Sequence, residues 1–307
     1  MSQTRRLAVE VLLCLGVGAV CFTSSRADPA TTHPKSAPKQ SLDRHPHART
    51  APWLTLPPTP TLPHATKSGL VNINGTSIFF AQFGAGRPVL LLHGGLANSN
   101  YWGHQVRELA QAFSVVVMDT RGHGRSPLTS PSLSYPLFAR DVIELMDFLE
   151  ISQASIIGWS DGAITGLQLV ATNPDRVSKL FAFGANSSVG GLKANGARSP
   201  LFVTFGQRCK AEYLLLSPRP EKWSQLVGGL RLLWHTEPHF TSNDLGKVTV
   251  PTTICDGEYD EIIRRDHTER LARAIPGTRL MILSAASHFA MLQNPAQFTK
   301  AVIEFLK

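Results

Sequence analysis

Cysteine is scarce in this 307-residue chain: there are four, and Cys14 and Cys21 fall within the first 27 residues. The other two, Cys209 and Cys255, are far apart, and no CxxC pair or His/Cys cluster with zinc spacing is present, so the pattern offers no metal module. An exported chain permits a disulfide, yet Cys255 closes an apolar strand-like run and reads as a buried free thiol. Long apolar runs are missing too. The best, Leu7–Phe22, is broken by Glu10 and falls short of the roughly 20 residues a membrane span needs. No internal repeat is visible, which sets aside solenoids and propellers. Nor does any basic stripe with interleaved aromatics accompany the net charge of +8, and no nucleic-acid partner is expected. Residues 1–67 hold a net +5 and residues 68–307 a net +3, so most of the basic excess lies outside the part that reads as folded.

What is present begins with an export pattern. Arg5 and Arg6 precede the apolar stretch, and Ser25-Arg26-Ala27 places small residues at a cleavage site before Asp28. Residues 1–27 therefore read as a signal peptide, with periplasmic or secreted localisation; retention as an N-terminal membrane anchor is the alternative. Residues 28–67 are rich in Pro, Thr, Ser and Ala and have no periodicity, which reads as a disordered, partly extended linker.

From Gly69 onward strands and helices alternate. Leu70–Ile73 and Ser77–Phe83, joined by Asn74-Gly75, predict a hairpin. PVLLL at 88–92, SVVVM at 114–118, Ala154–Gly158 and Val177–Phe183 are short continuous apolar runs of the kind buried on both faces of a parallel sheet. Helical spacing separates them, most clearly in Leu137, Phe138, Val142, Leu145, Met146 and Leu149. Strand–helix alternation of this kind predicts an α/β fold, a mostly parallel sheet flanked by helices. It breaks at about 186–245, where glycines and exposed-looking aromatics (Phe202, Phe205, Tyr213, Trp223, Trp234) suggest a small helical cap, and resumes with strands at 250–255 and 279–283.

The chemistry centres on Gly158-Trp159-Ser160-Asp161-Gly162. A GxSxG alone arises by chance in roughly one protein in ten of this length. Here a strand precedes it and a helix follows, the context of a nucleophile elbow, where a strained turn lifts the serine hydroxyl clear of the sheet. Serine needs a base, and His288 follows the last predicted strand. The base needs an orienting carboxylate, and Asp260 follows the strand ending at Cys255, with Glu261 its closest rival and Asp256 and Glu258 less well placed. Two backbone N–H groups are needed for the oxyanion: that of Asp161, and one from His93-Gly94-Gly95-Leu96, with Gly95 preferred and Leu96 second. His93 reads as a packing residue that holds this loop.

LLLHGG, DTRGHGRS, GWSDGA, DGEYD and SHF, in that order, resemble the α/β-hydrolase superfamily over about residues 69–307. GWSDGAITGL followed by FGAN is similar to the biphenyl-hydrolase-like, valacyclovir-hydrolase branch, with Ala163 where glycine is common. That resemblance implies a serine hydrolase acting on esters of small acids, α-amino acid esters included, without metal or organic cofactor. Lactone hydrolysis, carbon–carbon bond hydrolysis and peroxide-dependent acyl transfer use the same triad, and a non-catalytic small-molecule binding protein is the alternative of a different class. Asp161 and Trp159 are the expected substrate contacts. A carboxylate beside the nucleophile either pairs with a cationic acyl group or complements the helix N-terminus.

Overall fold

The computed structural model describes residues 51–130 and 132–307; the expected signal peptide and the first part of the linker lie outside the described residues. Asn74 and Gly75, at φ 45° and 71°, turn β1 (Lys67–Ile73) back on β2 (Thr76–Phe83) as the sequence predicts. Beyond the hairpin come β3 (Arg87–Leu92), β4 (Phe113–Asp119), β5 (Ala154–Trp159), β6 (Val177–Phe183), β7 (Thr252–Gly257) and β8 (Arg279–Leu283). They form one sheet in the order β1-β2-β4-β3-β5-β6-β7-β8. β1 and β2 run antiparallel to their neighbours, and the six strands from β4 across to β8 run parallel. Every residue of β4, β5 and β7 is buried, which is why these strands read as continuous apolar runs rather than alternating ones.

The helices are α1 (Gly103–Leu109), α2 (Tyr135–Phe148), α3 (Asp161–Thr172), α4 (Pro200–Leu216), α5 (Trp223–Thr236), α6 (Ser242–Gly246), α7 (Arg265–Ala274), α8 (Ala290–Gln293) and α9 (Pro295–Leu306). Successive strand residues point to opposite faces, and β6 shows how both are covered. Leu180 packs on Gly166 of α3, while its neighbour Phe181 meets Phe298 of α9 at 5.9 Å between ring centroids. α1 begins only at Gly103, because Asn98 caps a 3₁₀ turn at Ser99–Trp102 that occupies the preceding residues.

Two regions differ in character from their sequence reading. The aromatics of the interruption between β6 and β7 are not surface groups. Phe205 and Tyr213 of α4 are buried, and Phe202, Trp223 and Trp234 pack against the core, so the cap turns its aromatic face inward. Residues 51–66, assigned by composition to the linker, run along the body as an extended strap, with Leu56, Leu62 and Ala65 packed against the core. Five prolines in this stretch remove donors and periodicity, which hid its docking from a composition-based reading.

Candidate active site

All the loops that carry candidate chemistry leave the carboxyl ends of parallel strands, where open α/β sheets form their crevices. Between β5 and α3, Ser160 sits at φ 54°, ψ −120°, a conformation a residue with a Cβ rarely adopts. The crossing is possible only because of its flanking glycines. A Cβ at Gly158 would lie 2.4 Å from the Gly162 carbonyl oxygen, and one at Gly162 would lie 2.1 Å from that of Leu92. Because both obstacles are backbone, Gly162→Ala is expected to cost more than about 3 kcal/mol. A urea midpoint within experimental error of the wild type would show that β3 yields more easily than this packing implies.

His288 lies between β8 and α8 and is 1% exposed. Its Nδ1–H donates to Asp260 Oδ2 at 2.6 Å, leaving Nε2 as the basic nitrogen. Asp260 Oδ1 accepts from the N–H groups of Ile262 and Ile263, each at 2.7 Å, so the carboxylate is fixed on both oxygens. Burial, the largest single influence, pushes the Asp260 carboxyl up, but the charge and hydrogen bond of His288 and these backbone donors hold it well below the usual carboxylate range. On His288 burial is again the largest influence and lowers it; Asp260, Glu261 and Asp161 together outweigh burial and raise it. Gly184, after β6, makes room for the ring, since a Cβ there would lie 2.7 Å from His288 Cε1. The rival acids are occupied elsewhere. Glu261 Oε2 accepts from the His288 backbone N–H (3.2 Å), Glu258 Oε2 from that of Ala285, and Asp256 from Gly257 N–H and the Thr268 hydroxyl. Ser160 and His288 face the same cavity, with no hydrogen bond between them in this structure; such contacts often tighten only when substrate is in place.

The loop after β3 lies against the nucleophile: a Cβ at Gly94 would be 3.1 Å from Ser160 Cβ. Gly95 lines the cavity, whereas Leu96, at φ 67°, is not among its lining residues. Asp161 is the first residue of α3, so its N–H has no intrahelical acceptor. His93 acts as the expected loop holder. Its Nδ1–H donates to the Gly94 carbonyl (2.7 Å) and its Nε2 accepts from Thr120 N–H (3.0 Å), and burial lowers its pKa.

The cavity, about 110 Å³, is roofed by Phe202, Phe205 and Trp234 of the cap. At one end the Asp161 carboxylate accepts from the Tyr135 hydroxyl (2.9 Å) and from Trp234 Nε1–H, with Glu237 beside it. Burial pushes Asp161 up to about 6 despite these two donors. At the other end Lys193 reaches from the cap to the Asp260 carbonyl (2.5 Å). Trp159 is among the residues that line the cavity, but its Nε1–H is committed to the His288 carbonyl (2.9 Å), so its polar atom holds the base loop rather than substrate. Sequence reasoning missed Tyr135, Trp234, Glu237, Lys193 and Gly184. Only Trp234 carried any signal, as an aromatic within the cap.

This sheet order, elbow and loop arrangement define the α/β-hydrolase fold. The family model for the alpha/beta hydrolase fold matches residues 87–215. Among particular proteins, the chain is similar to the serine hydrolase BPHL of Mus musculus, 29% identical over 269 residues that cover 81% of this chain and 90% of that protein. It is also similar to the esterase YbfF of Escherichia coli, 23% identical over 239 residues, covering 71% and 92%. The enol-lactonase from Burkholderia xenovorans LB400 shares the fold with a TM-score of 0.64 at 23% identity, covering 78% of this chain and 99% of that one.

Proposed function

We propose that the protein is a serine hydrolase that cleaves carboxylic esters of small molecules through an acyl-enzyme. The observation that carries this reading is the 2.6 Å His288–Asp260 contact opening onto the cavity that also receives the strained Ser160. Ser160 attacks the ester carbonyl as His288 Nε2 takes its proton. Asp260 fixes the imidazole tautomer and stabilises its cation, and the N–H groups of Gly95 and Asp161 receive the oxyanion. His288 then protonates the leaving alcohol and activates the water that releases the acid. Labelling of the wild type by a fluorophosphonate, with turnover of p-nitrophenyl esters in preference to lactones and vinylogous diketones, tests the reading. An unlabelled protein would instead favour ligand binding without turnover. The similarity to a serine hydrolase and an esterase supports it, as does the apolar roof. Export is part of the proposal and rests on the residues before position 51.

The carboxylate end of the cavity favours a cationic acyl group. A carboxylate has about four lone-pair sites, and Asp161 receives two donors. At pH 7 it is mostly ionised, and below about 6 it takes up a proton. The selectivity of kcat/KM for α-amino acyl over neutral acyl esters is therefore expected to fall as pH drops through 6, while the substrate ammonium stays charged. His288 titrates equally for both substrates and cancels in the ratio, and Glu237, the other facing carboxylate, is tested by Glu237→Gln. Asp161→Asn should abolish the selectivity at every pH; equal losses on both ester types would rule out ammonium recognition.

A further inference from the structure

Residues 51–63 dock on the body through a consistent chemistry. With five prolines the strap offers carbonyl oxygens and few N–H groups, and the body meets it with side-chain donors. Gln293 Nε2 donates to the carbonyls of Thr55 (2.8 Å) and Trp53 (3.3 Å), Arg208 to those of Leu56 and Pro57, and Arg107 to that of Thr61. Two of these contacts lead directly to the triad. The Trp53 ring stacks on Tyr259, with centroids 4.2 Å apart and planes 13° from parallel, and Tyr259 precedes Asp260 in the chain. Gln293 also clasps the residue before His288: its Oε1 accepts from Ser287 N–H (2.8 Å) and its Nε2 reaches Ser287 Oγ (3.0 Å). Between the two loops, Tyr259 N–H donates to the Ala286 carbonyl at 2.8 Å. A third contact reaches the loop after β3, where Glu212 of α4 accepts from Thr59 of the strap (2.5 Å) and from Asn98 (2.9 Å).

We infer that the N-terminal strap is a positioning element for the catalytic triad, with Trp53 and Gln293 holding the acid loop and the base loop in register with each other. The inference rests on the serine-hydrolase reading above. Neither residue touches substrate. They act through Tyr259 and Ser287 on Asp260 and His288, and supporting contacts of this kind decide whether a site is held tightly enough to work. Displacing a catalytic group by a fraction of an ångström costs rate rather than affinity, because ground-state binding does not depend on the His288–Asp260 alignment.

The test uses the full chain carrying Trp53→Ala, Gln293→Ala, Trp53→Phe, or Leu54→Ala, an exposed strap position serving as control. Fluorophosphonate titration counts competent sites, so kcat is expressed per active molecule. Trp53→Ala and Gln293→Ala are each expected to lower kcat about tenfold with KM unchanged. Trp53→Phe, which keeps a stacking ring, should recover most of the loss, and Leu54→Ala should match the wild type. Lowered thermal stability with kcat per labelled site unchanged would make the strap a structural fastening only and overturn the inference. A raised KM with kcat intact would also overturn it, by assigning the strap to the substrate cavity. An unlabelled wild type is a separate result, seen before any variant is made, that removes the serine-hydrolase reading and this inference with it.

Discussion

Ser160→Ala is expected to abolish fluorophosphonate labelling and to lower ester turnover by about a millionfold, because nucleophile and base act as a unit and neither retains activity without the other. Residual turnover above water is expected, since the N–H groups of Gly95 and Asp161 remain to bind an oxyanion. The variant should fold like the wild type. Alanine keeps the Cβ and therefore the cost of φ 54°, ψ −120°, whereas Ser160→Gly relieves it. The glycine variant is expected to be the more stable of the two by about 1 kcal/mol, the balance of strain relieved against glycine's extra entropy loss. Equal stability would mean that the strain only matches glycine's entropy loss, and a less stable glycine variant would mean that the elbow stores little or none. Labelling that survived in Ser160→Ala would place the nucleophile elsewhere.

That this residue was recognisable at all follows from the locality of its signal. The elbow needs small residues two before and two after the serine, a buried strand before it and a helix after it, all within about twenty residues. Gly158, Gly162 and the apolar run at 154–158 supply them in order. Strand assignments succeeded for the same reason, since burial on both faces leaves an unbroken apolar run. Where contacts join distant segments the sequence is silent. Tyr135 and Trp234 meet at the Asp161 carboxylate from positions 26 and 73 residues away, and nothing near either residue marks a carboxylate partner. Gly184 matters only because the His288 ring arrives beside it. The cap aromatics looked exposed because their glycine-rich setting lacks periodicity, yet tertiary packing turns Phe205 and Tyr213 inward. The strap is the sharpest case. Proline richness argues against ordering when a segment must pair with itself, but not when side chains of the body supply the donors that its carbonyls need.

Asp260→Asn is expected to lower kcat by about ten-thousandfold while leaving the fold intact. The asparagine amide places an N–H or a weakened acceptor opposite Nδ1, so the imidazole loses both the tautomer that frees Nε2 and the charge that stabilises its cation. The pH profile adds a sign that can be worked out. The base must be neutral to act, so kcat/KM of the wild type rises with pH through the His288 pKa, which lies above the ordinary histidine value of 6.5. Removing the Asp260 charge leaves burial, which lowers that pKa, opposed only by Glu261 and Asp161. The residual activity of Asp260→Asn should therefore show its acid limb at lower pH than the wild type. Glu261→Gln supplies the contrast. Its Oε2 holds the His288 backbone N–H rather than the ring, so this change should lower kcat far less and move the limb only slightly downward. If Asp260→Asn kept activity within tenfold while Glu261→Gln collapsed it, the orienting carboxylate would be Glu261, and the 2.6 Å contact between Asp260 and His288 would be a structural ion pair instead.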